Sequence, residues 1–263
     1  MRLTFLALFS LLLIPRWAFA EAVAGAVVTS KEWQVKRGKD MIETFIGDVR
    51  YHTQKNEILA AWARFYHNSQ NWILKGNIRA TRQEDTGDHL KVFGDLASYN
   101  QNTQSGWIRP AKHDGKRQIL IIRQPVIGLP DHATADWAKW TGDSKTVLIG
   151  HVHSKGPRLE SWSDKTTILE NPGVKTGCSV RHVVLTGSRP VAIKFPQDKK
   201  DWQGSVKADI LRTRNPHLSN QDGVDESNPT ICGQDRFTAL GHARGWIVFR
   251  KTSHKKSKAK KKK

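Results

Sequence analysis

Along Trp72–Arg79 the chain reads WILKGNIR, and its apolar and polar positions alternate. Trp72, Leu74 and Ile78 fall on one side, and Ile73, Lys75, Asn77 and Arg79 on the other. That period of two is the signature of a strand with one buried face. The stretch TVLIGHVH (Thr146–His153) repeats it, with Leu148 and Val152 on the apolar side and His151 and His153 opposite. FTALGHAR (Phe237–Arg244) is a third copy, and QILIIR and HVVLTG are also strand-like. Breaks at YHNSQN, QEDTGD, YNQNTQSG and TGDS are rich in Asn, Asp, Gly and Ser. They recur roughly every 8–12 residues, the spacing of hairpins in an all-β fold. No helical stripe follows the first twenty residues, so the expected class is all-β.

The three octapeptides belong to a longer repeat. ILAAWARF (Ile58–Phe65) precedes the first and ATADWAKW (Ala133–Trp140) the second, with Ala, Trp, Ala and a cation in register. VKADILRT (Val206–Thr213) precedes the third and keeps only Ala-Asp and a later cation. Ala60 and Ala135 are 75 residues apart, and Gly76 and Gly150 are 74 apart. Gly150 and Gly241 are 91 apart, the surplus being an expected loop insertion at 213–235. A repeat of this kind implies one unit stacked on copies of itself. The expected organisation is a segment 1–20, repeats one and two over 21–177, a degenerate third repeat over 178–250, and a tail over 251–263.

Gly76, Gly150 and Gly241 lie in mid-strand, where glycine weakens pairing unless a bulge or bend needs it. Three copies in one register predict a bend built into each repeat. A sheet bent at the same place in every repeat folds over into a taco or jelly roll. Trp62 and Trp137 should then lie on equivalent strands, and their equivalence points to core packing.

Composition refines this picture. Residues 1–20 begin with Met1-Arg2, continue with an apolar run Leu3–Ile14 and end in Ala18-Phe19-Ala20. That is the pattern of a secretory signal peptide cleaved after Ala20. The apolar run is short of the roughly 20 residues that a membrane-spanning helix needs. In an exported chain, a Cys178–Cys232 disulfide and two separate thiols are both open. Formal net charge is +19, and setting aside the seven lysines of 255–263, Arg2 and Arg16 leaves +10 on the body. A basic body attracts polyanions, which outside the cytoplasm are lipid headgroups and lipopolysaccharide phosphates rather than nucleic acid. The tail KKSKAKKKK has no apolar periodicity and is expected to be disordered, as a surface-binding segment or a solvated end.

Taken together, Gly47-Asp48-Val49, Ala60-Ala61-Trp62-Ala63 and Leu74-Lys75-Gly76-Asn77-Ile78 resemble one cycle of the OstA-like domain. Ala135-Asp136-Trp137-Ala138 and Leu148-Ile149-Gly150-His151-Val152 resemble a second, and Ala61 stands where that family carries Asp. The OstA-like family comprises lipopolysaccharide-transport proteins of Gram-negative envelopes. The resemblance covers residues 33–177 well and 180–249 weakly. It implies an OstA-like β-jellyroll of two to three repeats, in the periplasm, with lipid acyl chains held in a groove between its sheets. The groove would include Trp72, Leu74, Ile78, Leu148 and Val152. The implied partners are lipopolysaccharide or another anionic lipid, and LptC-like and LptD-like domains joined through edge strands. A structural or adaptor β protein with no lipid inside is the alternative.

No catalytic chemistry stands out. His151 and His153 could hold a metal, but the matching first-copy residues Asn77 and Arg79 are not a ligand pair. The cysteines lack a CxxC spacing, and no GxSxG or phosphate loop occurs. Asp48, Asp95, Asp136 and Asp164 sit beside expected turns, where Asp is ordinary. The expectation is a non-enzymatic protein without cofactor or metal.

Overall fold

The mid-strand glycines lie at bends, and the bends stack. The computed structural model describes residues 26–83, 87–110, 117–126, 129–142, 144–156, 160–171, 178–195, 202–218 and 236–249. The expected signal peptide, the Lys tail and Cys232 lie outside these residues, so export and the disulfide are not addressed by the fold. The described residues are all-β and form one antiparallel sheet of sixteen strands.

The first strands are β1 (Val27–Thr29), β2 (Glu32–Lys36), β3 (Ile42–His52), β4 (Asn56–Tyr66), β5 (Asn71–Gln83) and β6 (His89–Asn100). Then come β7 (Ser105–Arg109), β8 (Ile119–Gln124), β9 (Asp131–Ala135), β10 (Trp137–Thr141) and β11 (Lys145–Lys155). The last are β12 (Glu160–Asn171), β13 (Cys178–Phe195), β14 (Trp202–Leu218), β15 (Arg236–Leu240) and β16 (Arg244–Phe249). The loop expected from residue 213 therefore begins later, because β14 continues to Leu218 and pairs with β13 along its length.

Short strands act in pairs as two halves of one bent strand. β3 pairs with β2 through Ile42–Ile46 and with β1 through Arg50–His52, skipping Gly47-Asp48-Val49. β6 pairs with β7 on one half and β8 on the other, and β11 pairs likewise with β10 and β9. β14 ends the sheet against β15 and β16. The result is a ladder of twelve bent rungs, following the strand order β1-β3-β4-β5-β6-β7-β10-β11-β12-β13-β14-β15. Each rung has a first limb, on the side of Ile42–Ile46, and a second limb, on the side of Val49–His52. With neighbouring strands about 4.8 Å apart, eleven steps make a ladder roughly 50 Å long.

Two backbone signatures make the bend. Gly47, Gly76, Gly150 and Gly241 have φ of 74°, 78°, 77° and 68°. The next residues, Asp48, Asn77, His151 and His242, also have positive φ, at 48°, 49°, 43° and 20°. Glycine takes this region freely, and Asn, Asp and His tolerate it best among the rest. The pairing register slips at each such step within β3, β5 and β11, as in a β-bulge. The second signature is the Ala-(Ala/Asp) step of β4, β9–β10 and β14, which lies against the glycine of a neighbouring rung. A Cβ on Gly76 would come within 2.9 Å of the Ala61 Cβ. On Gly150 it would come within 2.1 Å of Asp136 Oδ2, and on Gly241 within 2.2 Å of Asp209 Oδ2.

The interior lies between the limbs. In the inward row nearest the bend the pairing runs Phe45–Ala63–Leu74–Ala97–Ile108–Ala138–Leu148–Thr166–Leu185. Large and small side chains alternate from rung to rung, so facing layers interdigitate. This corrects the expectation for two tryptophans. Trp62 and Trp137 do occupy equivalent places beside the bend, but they point outward, and Ala63 and Ala138 take the inward positions.

Candidate functional site

All five residues expected to line a groove face the interior and are buried. Trp72 and Leu74 are 5% exposed, and Ile78, Leu148 and Val152 are 2% exposed. They share one cluster with Phe45, Val49, Phe65, Ile108 and Ile119. These additional lining residues carry the same alternation as the five, and that alternation is the signal that could have found them. In the second limb, Val49, Ile78 and Val152 each follow a bend directly, so one apolar residue on either side of Gly-x faces inward.

The interior is not uniform along the ladder. At one end Phe45, Phe65 and Trp72 stack, with centroids 5.8 Å apart for Phe45–Trp72 and 4.6 Å for Phe65–Trp72. Tyr51 meets Trp72 edge-on at 5.8 Å. Burial, and then the neighbouring Tyr99, raises the pKa of the Tyr51 hydroxyl above the usual phenol value, against a hydrogen bond with Gln101 that lowers it. The buried indole N–H of Trp72 has no hydrogen-bond partner among the described residues. Beside this aromatic stack lies a buried carboxylate. Glu43 is 6% exposed and accepts from Trp33 Nε1 at 2.9 Å. Its other oxygen lies 2.6 Å from His67 Nε2.

Further along, the apolar lining is interrupted at β12. Thr166 and Ser161 are buried on the inward face, and Ser163 Oγ lies 2.8 Å from Thr166 Oγ1. Beyond this seam a second apolar cluster gathers Leu185, Val191, Ala208 and Leu211, with Val183, Val206 and Ala239 against it. The two clusters are joined by the pairing of β12 with β13, which runs on both sides of a register shift between Trp162 and Lys165.

The bends hold the acids. Asp136 Oδ2 lies 3.0 Å from His151 Nδ1, and Asp209 Oδ2 lies 2.8 Å from His242 Nδ1. Asp48 pairs with Lys31 at 2.7 Å. Asp164 accepts from the backbone N–H and hydroxyl of Ser188 at 2.7 Å each. His153 pairs separately with Glu160 at 2.9 Å. His151 and His153 therefore face different carboxylates rather than each other, and no group of three potential metal ligands occurs among the described residues.

The two end rungs are hydrogen-bonded on one side only among the described residues. The β15–β16 rung exposes Phe237, Leu240 and Trp246, the last 54% exposed. The β1 end exposes Val27. No helix among the described residues is long and apolar enough to cross a membrane. No protein-family model matches the chain, and no curated protein matches its sequence.

Proposed function

We propose that the chain is a non-enzymatic envelope protein of the OstA-like kind, exported to the periplasm, that carries lipopolysaccharide towards the outer membrane. Lipid acyl chains would enter between the limbs and lie against Leu74, Ile78, Leu148 and Val152. The observation that carries this reading is the form of the ladder: bent rungs enclosing an apolar interior along the stack, with an end rung at each side that is hydrogen-bonded on one side only among the described residues. An interior of that form suits long apolar chains. End rungs with one open side among the described residues suit strand addition by LptC-like and LptD-like domains. The basic body suits the phosphates of the lipid.

A second reading is favoured by one specific observation. The residues of the interior are packed, with large and small side chains alternating between rungs, and the stacked Phe45, Phe65 and Trp72 must part before a chain can enter. An adaptor that joins β domains without lipid needs no such opening. Mass spectrometry of lipids extracted from the purified full chain, expressed in a Gram-negative envelope, separates the two. The carrier reading expects lipid A at near-stoichiometric amounts. Protein free of lipid A that still binds a partner domain would overturn it and leave the adaptor.

A further inference from the structure

Register places charge on the ladder in an ordered way. The acids Asp48, Asp136, Asp164 and Asp209 stand at the bends. From β3 to β15, by contrast, the outward positions of the first limb hold no Asp or Glu among the described residues. Arg64, Lys75, Arg109, Lys139 and Lys165 all lie on this face, and so do three tryptophans. Beside the bend one outward row reads Trp62–Lys75–Leu96–Arg109–Trp137–Ile149–Lys165 from β4 to β12. At about 4.8 Å per strand this row runs for roughly 29 Å.

Cations lie over the aromatic rings of this face. Lys75 Nζ lies 4.8 Å from the Trp62 ring centroid, with the Arg64 guanidinium carbon 4.9 Å away. Arg109 lies 5.1 Å from the Trp107 ring and Lys139 5.9 Å from the Trp137 ring. Between Trp107 and Trp137 the face dips into an open depression of about 290 Å³, edged by Lys139, Asn71, Asn100 and Ser98.

We propose that this outer face, centred on Trp107 and Trp137, binds an anionic saccharide chain laid across the strands. Each component has a part in such recognition. The broad apolar faces of Trp107 and Trp137 suit the C–H face of a sugar ring once Arg109 and Lys139 turn from the rings to its anionic substituents. Asn71, whose Oδ1 accepts from Ser98 Oγ, offers its amide N–H groups to sugar hydroxyls, while Asn100 is held by Ser69 and Thr103 and shapes the rim. Lys139 and Arg109, with no Asp or Glu at the outward positions of this limb from β3 to β15 among the described residues, complement phosphate or carboxylate substituents. The tryptophans are only partly exposed, with cations lying over them, so they form a platform rather than wedges that insert into a bilayer. This site is separate from the interior and stands whether or not lipid binds there.

The test uses the full chain and four probes: sulfated dextran, neutral dextran, polyphosphate and single-stranded DNA. Affinities are measured at one fixed ionic strength. Trp107→Ala/Trp137→Ala keeps the charge, so affinity for sulfated dextran should fall about tenfold while polyphosphate stays within about twofold. Arg109→Gln/Lys139→Gln should weaken both probes. Arg79→Gln/Lys91→Gln, on the outer face of the second limb, should weaken sulfated dextran less. If the tryptophan pair variant does not fold, the ratio of sulfated to neutral dextran affinity in the Arg109/Lys139 variant decides, and it should fall. Sulfated dextran binding that is unchanged by tryptophan loss, or equal at the two limbs, reduces the face to net charge and overturns the proposal. Tighter binding of single-stranded DNA with the same tryptophan dependence overturns it in favour of a nucleic-acid platform.

Discussion

Gly150→Ala tests the stacked bend. Gly150 has φ of 77°, a conformation that costs an L-residue roughly 1–2 kcal/mol. The added Cβ would also stand 2.1 Å from Asp136 Oδ2 and 2.6 Å from its Cγ. Asp136 has little room to yield. It is 7% exposed, and its backbone N–H donates to the Gly150 carbonyl at 3.0 Å, which ties the two rungs together at the clash. Forced displacement of a packed group adds about 1–3 kcal/mol, for a total of roughly 2–5 kcal/mol. In a chain of this size each kcal/mol moves the melting temperature by about 2–4 °C, so a fall of roughly 4–20 °C is expected. Gly142→Ala is the control, since its φ is 55° but a Cβ there meets nothing within 4 Å. It should lose only the conformational part, about 1–2 kcal/mol. Asp136→Ala/Gly150→Ala removes the carboxylate from the clash and should recover about 1 kcal/mol relative to additivity. Urea unfolding followed by circular dichroism reads all three variants. If Gly150→Ala and Gly142→Ala agree within about 0.5 kcal/mol, the bends are not held by this contact and the stacking argument fails.

Three further outcomes follow from the same geometry. Leu148→Ala should cost about 2–5 kcal/mol and Leu148→Arg more, whereas Ile149→Arg, one residue on and facing outward, should stay near neutral; equal costs would mean that inward and outward are assigned wrongly. Glu43→Ala leaves Trp33 Nε1 and His67 without their carboxylate and should cost about 1–3 kcal/mol, with Glu43→Gln costing less; equal losses in denaturant melts would show that these hydrogen bonds contribute nothing. Deleting 255–263 should leave the melting temperature unchanged and only partly weaken binding to anionic vesicles, and the remainder should fade with salt, as charges are screened over about 8 Å at physiological ionic strength. Complete loss of vesicle binding on that deletion would place the whole interaction in the tail.

Much of the ladder was legible in the chain because its geometry is local. Gly76, Gly150 and Gly241 mark bends that the backbone itself requires, and the alternation around them assigns Leu74, Ile78, Leu148 and Val152 to the interior. The orientation of Trp62 and Trp137 was not legible, since hydrophobicity would bury the larger residue. Register decides otherwise: Ala63 faces between Phe45 and Leu74, and Ala138 between Ile108 and Leu148, where a second large side chain would overfill the row. The pairing of Asp136 with His151 and Asp209 with His242 was equally hidden, because 15 and 33 residues separate the partners. The same holds for the first limb's cationic outer face, which is assembled from residues of many strands and exists only once they are aligned.

The most direct test of lipid carriage is photo-crosslinking in living envelope from a photoreactive amino acid placed at single sites. Positions Leu148 and Thr166 face the interior, and Ile149 and Lys165 are their outward neighbours. If acyl chains run between the limbs, the interior positions yield adducts that stain for lipopolysaccharide and the outward positions do not. Adducts from Ile149 and Lys165 alone, or adducts at Leu148 and Thr166 that contain only protein, would contradict carriage in the interior.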